Sequence, residues 1–331
     1  MASTMHSPVE TGDEAGTQPV TPEFHLVPTI DAEIAVVEFI MKAVVENAHA
    51  TPAQEAANYH LATGGGRMRA RIAIASGIAW GTPQRHRIDA AAACELLHNA
   101  SLVHDDLSDA DAMRRGQPTI WHLYGSDIAL CTGDLLLTSS FLTAANIDDA
   151  ASSRALVRHL AEQASRVIGG QSVEVSARSG PADVSMAQYA NATRAKTAPL
   201  FELPLLAGAI PDRMPADAAR TLRTFAEAIG LAYQILDDLD DVPAQSERSE
   251  PPALHPLHAW HHHRPNPKGS ISAHAIRHRC LRHAHAALAR ASSLTHGLPT
   301  PLRSELLALI HQLATKADRH SRSDLTAFEV S

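Results

Sequence analysis

The chain has 331 residues, of which 45% are hydrophobic and 19% are charged, so it is long and apolar enough to bury a sizeable core and is not disordered throughout. Its 28 basic and 36 acidic residues give a formal charge of -8, which argues against electrostatic binding of nucleic acid or an anionic membrane as the main activity. Three distant cysteines offer neither a disulfide framework nor a thiolate metal site, and no apolar run approaches the roughly 20 residues that cross a bilayer. We therefore expect a cytoplasmic protein without stable membrane insertion or nucleic-acid partners.

The predicted elements begin after a polar start. Residues 1–28 are rich in Ser, Thr, Pro and acidic residues without apolar periodicity, which predicts a flexible N-terminal tail. From Asp31 onward apolar residues recur at three- and four-residue spacing, whereas alternating strand patterns are scarce. Glycine and proline pairs separate the helical segments, and a Pro- and His-rich stretch at 242–270 predicts a long loop. We predict an all-α protein in which residues 29–331 form a single domain.

Two D-D-x-x-D sequences carry the strongest chemical signal. The first cluster is Asp105, Asp106 and Asp109, and the second cluster is Asp237, Asp238 and Asp241. Because helix positions three and four apart share a face, each cluster forms a patch of three carboxylates. Like charges about 4 Å apart repel by roughly 4 kcal/mol at an effective dielectric constant near 20, so such a patch needs cations or protons. Oxygen ligands without nearby cysteine favour Mg²⁺, bound together with phosphate oxygens.

An acidic triplet is often no more than solvated helix surface. Here, however, both clusters directly follow apolar sequence, at Leu102-Val103 and at Ile235-Leu236, which favours metal binding over a solvated face. Arg114 and Arg115 follow the first cluster closely. Because arginine forms forked hydrogen bonds to phosphate oxygens, metal-binding carboxylates and these arginines together predict a diphosphate site.

Further short motifs accompany these clusters along the chain. They are Gly64-Gly65-Gly66-Arg67-Met68-Arg69, Glu95-Leu96-Leu97-His98 leading into the first cluster, Gly133-Asp134, Gly170-Gln171, Lys196-Thr197 and Tyr233-Gln234-Ile235-Leu236 leading into the second. In this order they resemble the trans-isoprenyl diphosphate synthases, also called the polyprenyl synthetase family. The resemblance is strong from about Ile34 to Val242 and weak beyond.

The resemblance implies the isoprenoid synthase type I fold, a single large helical bundle around a central cavity, usually as a homodimer. It implies a prenyltransferase that ionises an allylic diphosphate and condenses it head-to-tail with isopentenyl diphosphate. About three Mg²⁺ ions per active site would be held by the six aspartates of the two clusters. The implied catalytic residues are Asp105, Asp106, Asp109, Lys196, Asp237 and Asp238. The implied substrate-binding residues are Arg67, Arg69, His98, Arg114, Arg115, Lys196, Thr197 and Gln234.

Product length is expected to depend on residues that precede the first cluster. In the family, the residues four and five positions before the first aspartate line the channel of the growing chain. Here these residues are Ser101 and Ala100, both small, and Leu97 lies one turn further on. We therefore expect a product of twenty carbons or more, with geranylgeranyl diphosphate as the preferred product.

Two departures from the family pattern keep other functions open. Gly66 stands where the family usually has a lysine, although Arg67 or Arg71 could take its place. The segment after the second cluster has many histidines and only Lys268, where the family supplies several lysines. These histidines form a solvated loop or, in the alternative, replace lysine or bind a transition metal.

The remaining alternatives are a terpene synthase on the same scaffold and a non-catalytic partner subunit of another synthase. Retention of Arg69, His98 and Arg115 favours chain elongation over cyclisation. Both aspartate clusters are intact, whereas partner subunits often lose one.

Overall fold

A computed structural model describes most of the chain. The described residues are 29–46, 50–177, 185–209, 213–240 and 273–328. The predicted tail at 1–28, the predicted loop at 242–270 and Asp241 lie outside them. The division of the chain into one domain stays a prediction.

The described residues are predominantly helical, which confirms the predicted all-α fold. The helices are α1 (Ile30–Glu46), α2 (Pro52–Ala62), α3 (Met68–Ala79), α4 (Gln84–Asp109), α5 (Ile120–Tyr124), α6 (Ser126–Ala145), α7 (Ala150–Ala177), α8 (Met186–Lys196), α9 (Ala198–Ala207), α10 (Ala216–Asp240), α11 (Ala273–Leu294) and α12 (Thr300–Phe328).

A small hairpin, which the sequence did not predict, follows α4. Strands β1 (Met113–Arg114) and β2 (Gln117–Pro118) pair antiparallel. Arg115 and Gly116 between them have φ of 53° and 75°, as a two-residue hairpin turn of type I′ requires. The hairpin fixes the two adjacent arginines beside the C-terminal end of α4.

Two groups of buried apolar side chains organise the bundle. The first lies around α4, which packs against α6, α3 and α1. A run of small residues, Ala90–Ala93, is almost fully buried on α4 and lets the neighbouring helices approach closely. The second group lies around α10, which packs against α11 and α9. The two central helices end at Asp109 and Asp240, so α4 carries the first cluster at its C-terminal end and α10 carries Asp237 and Asp238 of the second.

Helix α6 corrects one expectation from the sequence. It has 20 residues, an 18-residue window within it has a mean hydropathy of 1.5, and among the described residues it is long and apolar enough to cross a membrane. The expectation that no apolar run approaches this length was wrong, because Gly, Ser and Thr interrupt the run without lowering its mean hydropathy enough. In the structure 44% of this segment is buried, and the helix packs against α4 and α2. The core helix of a globular bundle meets the same criteria.

Candidate active site

The first aspartate cluster lies at the end of α4 and is neutralised by side chains from elsewhere in the chain. Arg114 Nε donates to Asp106 Oδ1 over 2.5 Å, and Lys196 Nζ lies 3.7 Å from Asp105 Oδ1. Ala110 ends the helix in the left-handed conformation, with φ of 57°, and turns the chain toward the hairpin that carries Arg114. Burial raises the pKa of Asp105 and of Asp106 to about 6. These carboxylates therefore need nearby cations to stay charged.

Lys196 connects the first cluster to α7. Its Nζ donates to Glu174 Oε2 over 2.9 Å. Burial opposes the charge of Lys196, but Asp105 and Glu174 outweigh burial and raise its pKa. Lys196 was predicted from its motif, whereas Glu174 was missed. The signal that points to Glu174 is its position four residues after Gly170, and therefore on the same face of α7.

In the second cluster, both oxygens of Asp238 accept hydrogen bonds from protein side chains. Tyr189 OH donates to Oδ2 over 2.5 Å, and Gln234 Nε2 donates to Oδ1 over 2.7 Å. Thr197 Oγ1 in turn donates to Gln234 Oε1 over 2.7 Å. Burial raises the pKa of Asp238 to about 7. The structure thus assigns Gln234 and Thr197 contacts that orient Asp238, and it adds Tyr189, which the sequence did not reveal.

Asp237 occupies a different environment from its neighbour. Its side chain is 49% exposed, and its Oδ1 lies 3.4 Å from Lys316 Nζ on α12. Lys316 was not predicted, because it lies 79 positions away in the sequence and belongs to no motif. Asp237 therefore keeps more access to ligands from solvent than Asp238.

A small cavity lies between Asp238 of the second cluster and Lys196, the partner of Asp105 in the first cluster. Its volume is about 30 Å³, and Glu174, Lys196, Gln234 and Asp238 are among the residues that line it. The charge of Glu174 raises the pKa of Asp105 and also that of Asp238, although burial is the larger cause for both. Lys196, which lines this cavity together with Asp238, also lies 3.7 Å from Asp105 Oδ1, so the ends of α4 and α10 both lie near it.

A larger cavity of about 420 Å³ contains most of the predicted basic residues. Those that line it are Arg67, Arg69, Arg71, His98, Arg114 and Arg115. The Arg69 guanidinium lies 5.3 Å from the Phe201 ring centroid, and Arg115 donates to the Gly64 carbonyl. Burial, followed by the charge of Arg69, lowers the pKa of His98 well below its ordinary value, so its imidazole is neutral at pH 7. Five arginines line the cavity against two carboxylates, Glu95 and Glu305, so its lining is positive overall and suits an anion.

Two arginines that could replace the missing lysine at Gly66 are already paired with carboxylates. Arg67 Nε donates to Glu38 Oε1 over 2.9 Å. Arg71 donates to Glu305 through two nitrogens, over 2.9 and 3.2 Å, and to Asp31 over 2.5 Å. A ligand in the cavity must compete with these carboxylates, so Arg67 and Arg71 are poorer replacements for lysine than the sequence suggested.

The residues expected to set chain length lie on α4 next to the core. Leu97 and Ala100 are each 2% exposed and belong to the first apolar group. Ser101 is partly buried, and its Oγ donates to the His98 carbonyl over 2.7 Å. Their effect on product length stays a prediction.

The chemistry of the aspartates fits a hard divalent cation. Within the described ranges, no three His, Cys, Asp or Glu side chains are already grouped around a single ion position. The carboxylates instead pair with Arg114, Lys196 and Lys316, which occupy the positions of counter-cations. Since carboxylate oxygens are the ligands that Mg²⁺ prefers, the residues fit this ion and would have to exchange protein cations for it. The individual metal ligands stay predictions.

His60 is a buried neutral histidine on α2 that contacts Asn99 on α4. Its Nε2 lies 3.1 Å from Asn99 Oδ1, and burial, followed by the charge of Arg115, lowers its pKa from 6.5 to about 4. The unfolded chain takes up a proton near pH 6.5, whereas the folded protein does so only near pH 4. The free energy of unfolding that depends on neutral His60 is therefore fully present above pH 6.5 and is lost as the pH falls toward 4.

We expect this histidine to make unfolding depend on pH. Between pH 7 and pH 5 the wild type should lose about 2 kcal/mol more of its free energy of unfolding than His60→Gln does. Urea unfolding at the two pH values measures the difference. His122→Gln, at an exposed position on α5, is the control and should behave as the wild type. Equal losses in His60→Gln and the wild type would contradict the prediction.

Comparison with known proteins identifies the family. The sequence model of the polyprenyl synthetase family matches residues 51–254, so the chain belongs to this family. A farnesyl diphosphate synthase of Bacillus subtilis (strain 168) is 35% identical over 57% of this chain and 66% of its own length. A chloroplastic geranylgeranyl pyrophosphate synthase of Catharanthus roseus is 36% identical over 58% of this chain and 56% of its own length. The chain thus spans between about half and two thirds of these relatives.

The fold is also found in solved structures. A geranylgeranyl pyrophosphate synthetase from the archaeon Geoglobus acetivorans superposes with a TM-score of 0.73 at 24% identity, over 86% of this chain and 98% of that one. At this identity the likeness establishes the fold alone, which confirms the isoprenoid synthase architecture.

Proposed function

We propose that the protein is a prenyltransferase that condenses an allylic diphosphate with isopentenyl diphosphate. The observation that carries the proposal is a small cavity lined by Asp238 of the second cluster and by Lys196, the partner of Asp105 in the first, together with a larger cavity lined with arginine. The first arrangement suits a metal-bound diphosphate, and the second suits another anion. The names of the relatives, farnesyl and geranylgeranyl diphosphate synthases, support the same reaction.

The roles of the residues follow from their positions. Bound Mg²⁺, about three ions per site, would stabilise negative charge on the departing diphosphate. Arg114 and Lys196 lie at the first cluster and add positive charge there. Neutral His98 and the guanidinium groups of Arg69 and Arg115 line the other cavity, where they would hold isopentenyl diphosphate. The two substrates would then meet between α4 and α10.

We infer a product of twenty carbons or more, with geranylgeranyl diphosphate preferred, because the side chains at Ala100 and Ser101 are small. Ala100→Phe should shorten the product, since the added ring projects from α4 where the chain is expected to extend. Chromatography of the dephosphorylated products measures the length. Ala145→Phe, at an exposed position on α6, is the control. An unchanged product in a folded Ala100→Phe protein would contradict the role of Ala100.

A terpene synthase is the second candidate. It is favoured by Gly66 and by the carboxylate partners of Arg67 and Arg71, which weaken the expected isopentenyl diphosphate site. Such an enzyme would ionise the allylic diphosphate and cyclise the cation without using isopentenyl diphosphate.

One assay separates these functions. The purified protein is incubated with MgCl₂ and geranyl or farnesyl diphosphate, with and without labelled isopentenyl diphosphate. Label in a longer diphosphate supports the proposed function. A hydrocarbon or alcohol without label supports the terpene synthase. If neither product forms, the prenyltransferase and the terpene synthase are both overturned, and a partner subunit is favoured. We further propose that the protein is cytoplasmic and forms a homodimer. Light scattering would test the homodimer by its mass.

A further inference from the structure

Lys316 lies at the second aspartate cluster although no motif contains it. Its Nζ is 3.4 Å from Asp237 Oδ1 and 2.6 Å from Asp240 Oδ2. The side chain is 22% exposed, while those of Asp237 and Asp240 are about half exposed. The ammonium group therefore lies at the border between the protein and the open side of the second cluster.

A network of polar contacts holds Lys316 in this position. Asp240 Oδ1 also lies 2.9 Å from His320 Nε2, and Arg277 Nη2 lies 2.6 Å from His320 Nδ1. The network joins α10, α11 and α12 where α10 ends. Burial opposes the charge of Lys316, but its bond to Asp240 and the charge of Asp237 raise its pKa. Lys316 is therefore cationic at neutral pH.

Lysine is rare in this chain, and two of its lysines lie at the aspartate clusters. The sequence has four lysines, Lys42, Lys196, Lys268 and Lys316. Lys196 lies at the first cluster and Lys316 at the second, so each cluster has one lysine beside it. Lys42 is exposed on α1. A diphosphate bound by both clusters would thus have a lysine near each of them.

We propose that Lys316 binds the diphosphate of the allylic substrate from the α12 side of the site. This inference rests on the proposed function, which places that diphosphate between the two clusters. In the structure the ammonium group contacts Asp237 and Asp240. With Asp237 holding Mg²⁺, Lys316 would reach the diphosphate oxygens on its flexible four-carbon stem. Lys316 would keep its ion pair with Asp240.

The competing explanation is purely structural. The contacts of Lys316 with α10 could serve only to attach α12 to the end of α10. This explanation predicts that removing Asp240 has the same effect on ligand binding as removing the charge of Lys316, because either change breaks the attachment.

Binding of inorganic pyrophosphate in the presence of MgCl₂, measured by calorimetry on the full chain, tests the proposal. Lys316→Met should weaken binding roughly tenfold to a hundredfold, the range for losing one hydrogen bond between charged groups. Lys316→Arg should stay within about threefold of the wild type, since the charge remains. Lys42→Met is the matched control and should bind as the wild type. If Lys316→Met does not fold, Lys316→Gln takes its place.

Asp240→Asn separates the two explanations. It should lower the unfolding temperature while weakening pyrophosphate binding less than Lys316→Met does. Equal losses of binding in both variants, or unchanged binding in Lys316→Met, would overturn the proposal. Failure of the proposed function is seen separately, in the wild type with labelled isopentenyl diphosphate. If no label is incorporated but Lys316→Met still loses pyrophosphate binding, the prenyl transfer is wrong and the binding role of Lys316 stands.

Discussion

Replacing Asp105 by asparagine should lower kcat for prenyl transfer roughly a thousandfold, comparable to the loss of a group that stabilises developing charge. Asparagine keeps the shape of the side chain but removes the negative charge that would hold Mg²⁺. It also removes the charge of Asp105 next to Lys196, which keeps its hydrogen bond to Glu174 Oε2. Steady-state kinetics with an allylic diphosphate and isopentenyl diphosphate at saturating MgCl₂ measure the change.

The control for this substitution is Asp127→Asn. Asp127 is exposed at the start of α6, and neither described cavity includes it. Its kcat should remain within about twofold of the wild type. If folded Asp105→Asn kept more than about a tenth of the wild-type kcat, the first cluster would not hold the metal on which the reaction depends.

Gly170→Ala should reduce both stability and activity, because α7 and α8 touch at this residue. A Cβ atom at Gly170 would lie 2.5 Å from the backbone nitrogen of Lys196 and 2.7 Å from the carbonyl carbon of Ala195. The helices would have to separate, which typically costs about 1–3 kcal/mol. The shift moves Lys196 away from Asp105, so kcat should fall about tenfold or more.

The adjacent glycine provides a matched control. A Cβ atom at Gly169 would have no neighbouring atom within 4 Å. Gly169→Ala should therefore leave kcat unchanged and stabilise the helix by up to about 1 kcal/mol. Urea unfolding and kinetics on both variants make the comparison. Similar behaviour of the two variants would show that the contact between Gly170 and Lys196 does not control the site.

Local sequence determined the composition of the site. The spacing of Asp105, Asp106 and Asp109 places carboxylates within one turn of helix, and the order of the short motifs along the chain is typical of the family. The helical class followed from apolar periodicity. Such features depend on residues that are close in the chain, so they can be read from the sequence directly.

Partners from distant segments could not be predicted in the same way. Tyr189 lies 49 positions from Asp238, and Lys316 lies 79 positions from Asp237. Their contacts depend on how α8 and α12 pack against α10, which no local pattern encodes. The sequence also suggested Arg67 and Arg71 as replacements for a missing lysine, and the structure pairs both with carboxylates.

By itself, the sequence determined the fold class, the family and the two carboxylate clusters. Only the tertiary structure decided which cation neutralises each carboxylate: Arg114 for Asp106, Lys196 for Asp105 and Lys316 for Asp237. The physical reason is that an ion pair forms between side chains a few ångströms apart in space, and that proximity is set by helix packing and not by separation along the chain.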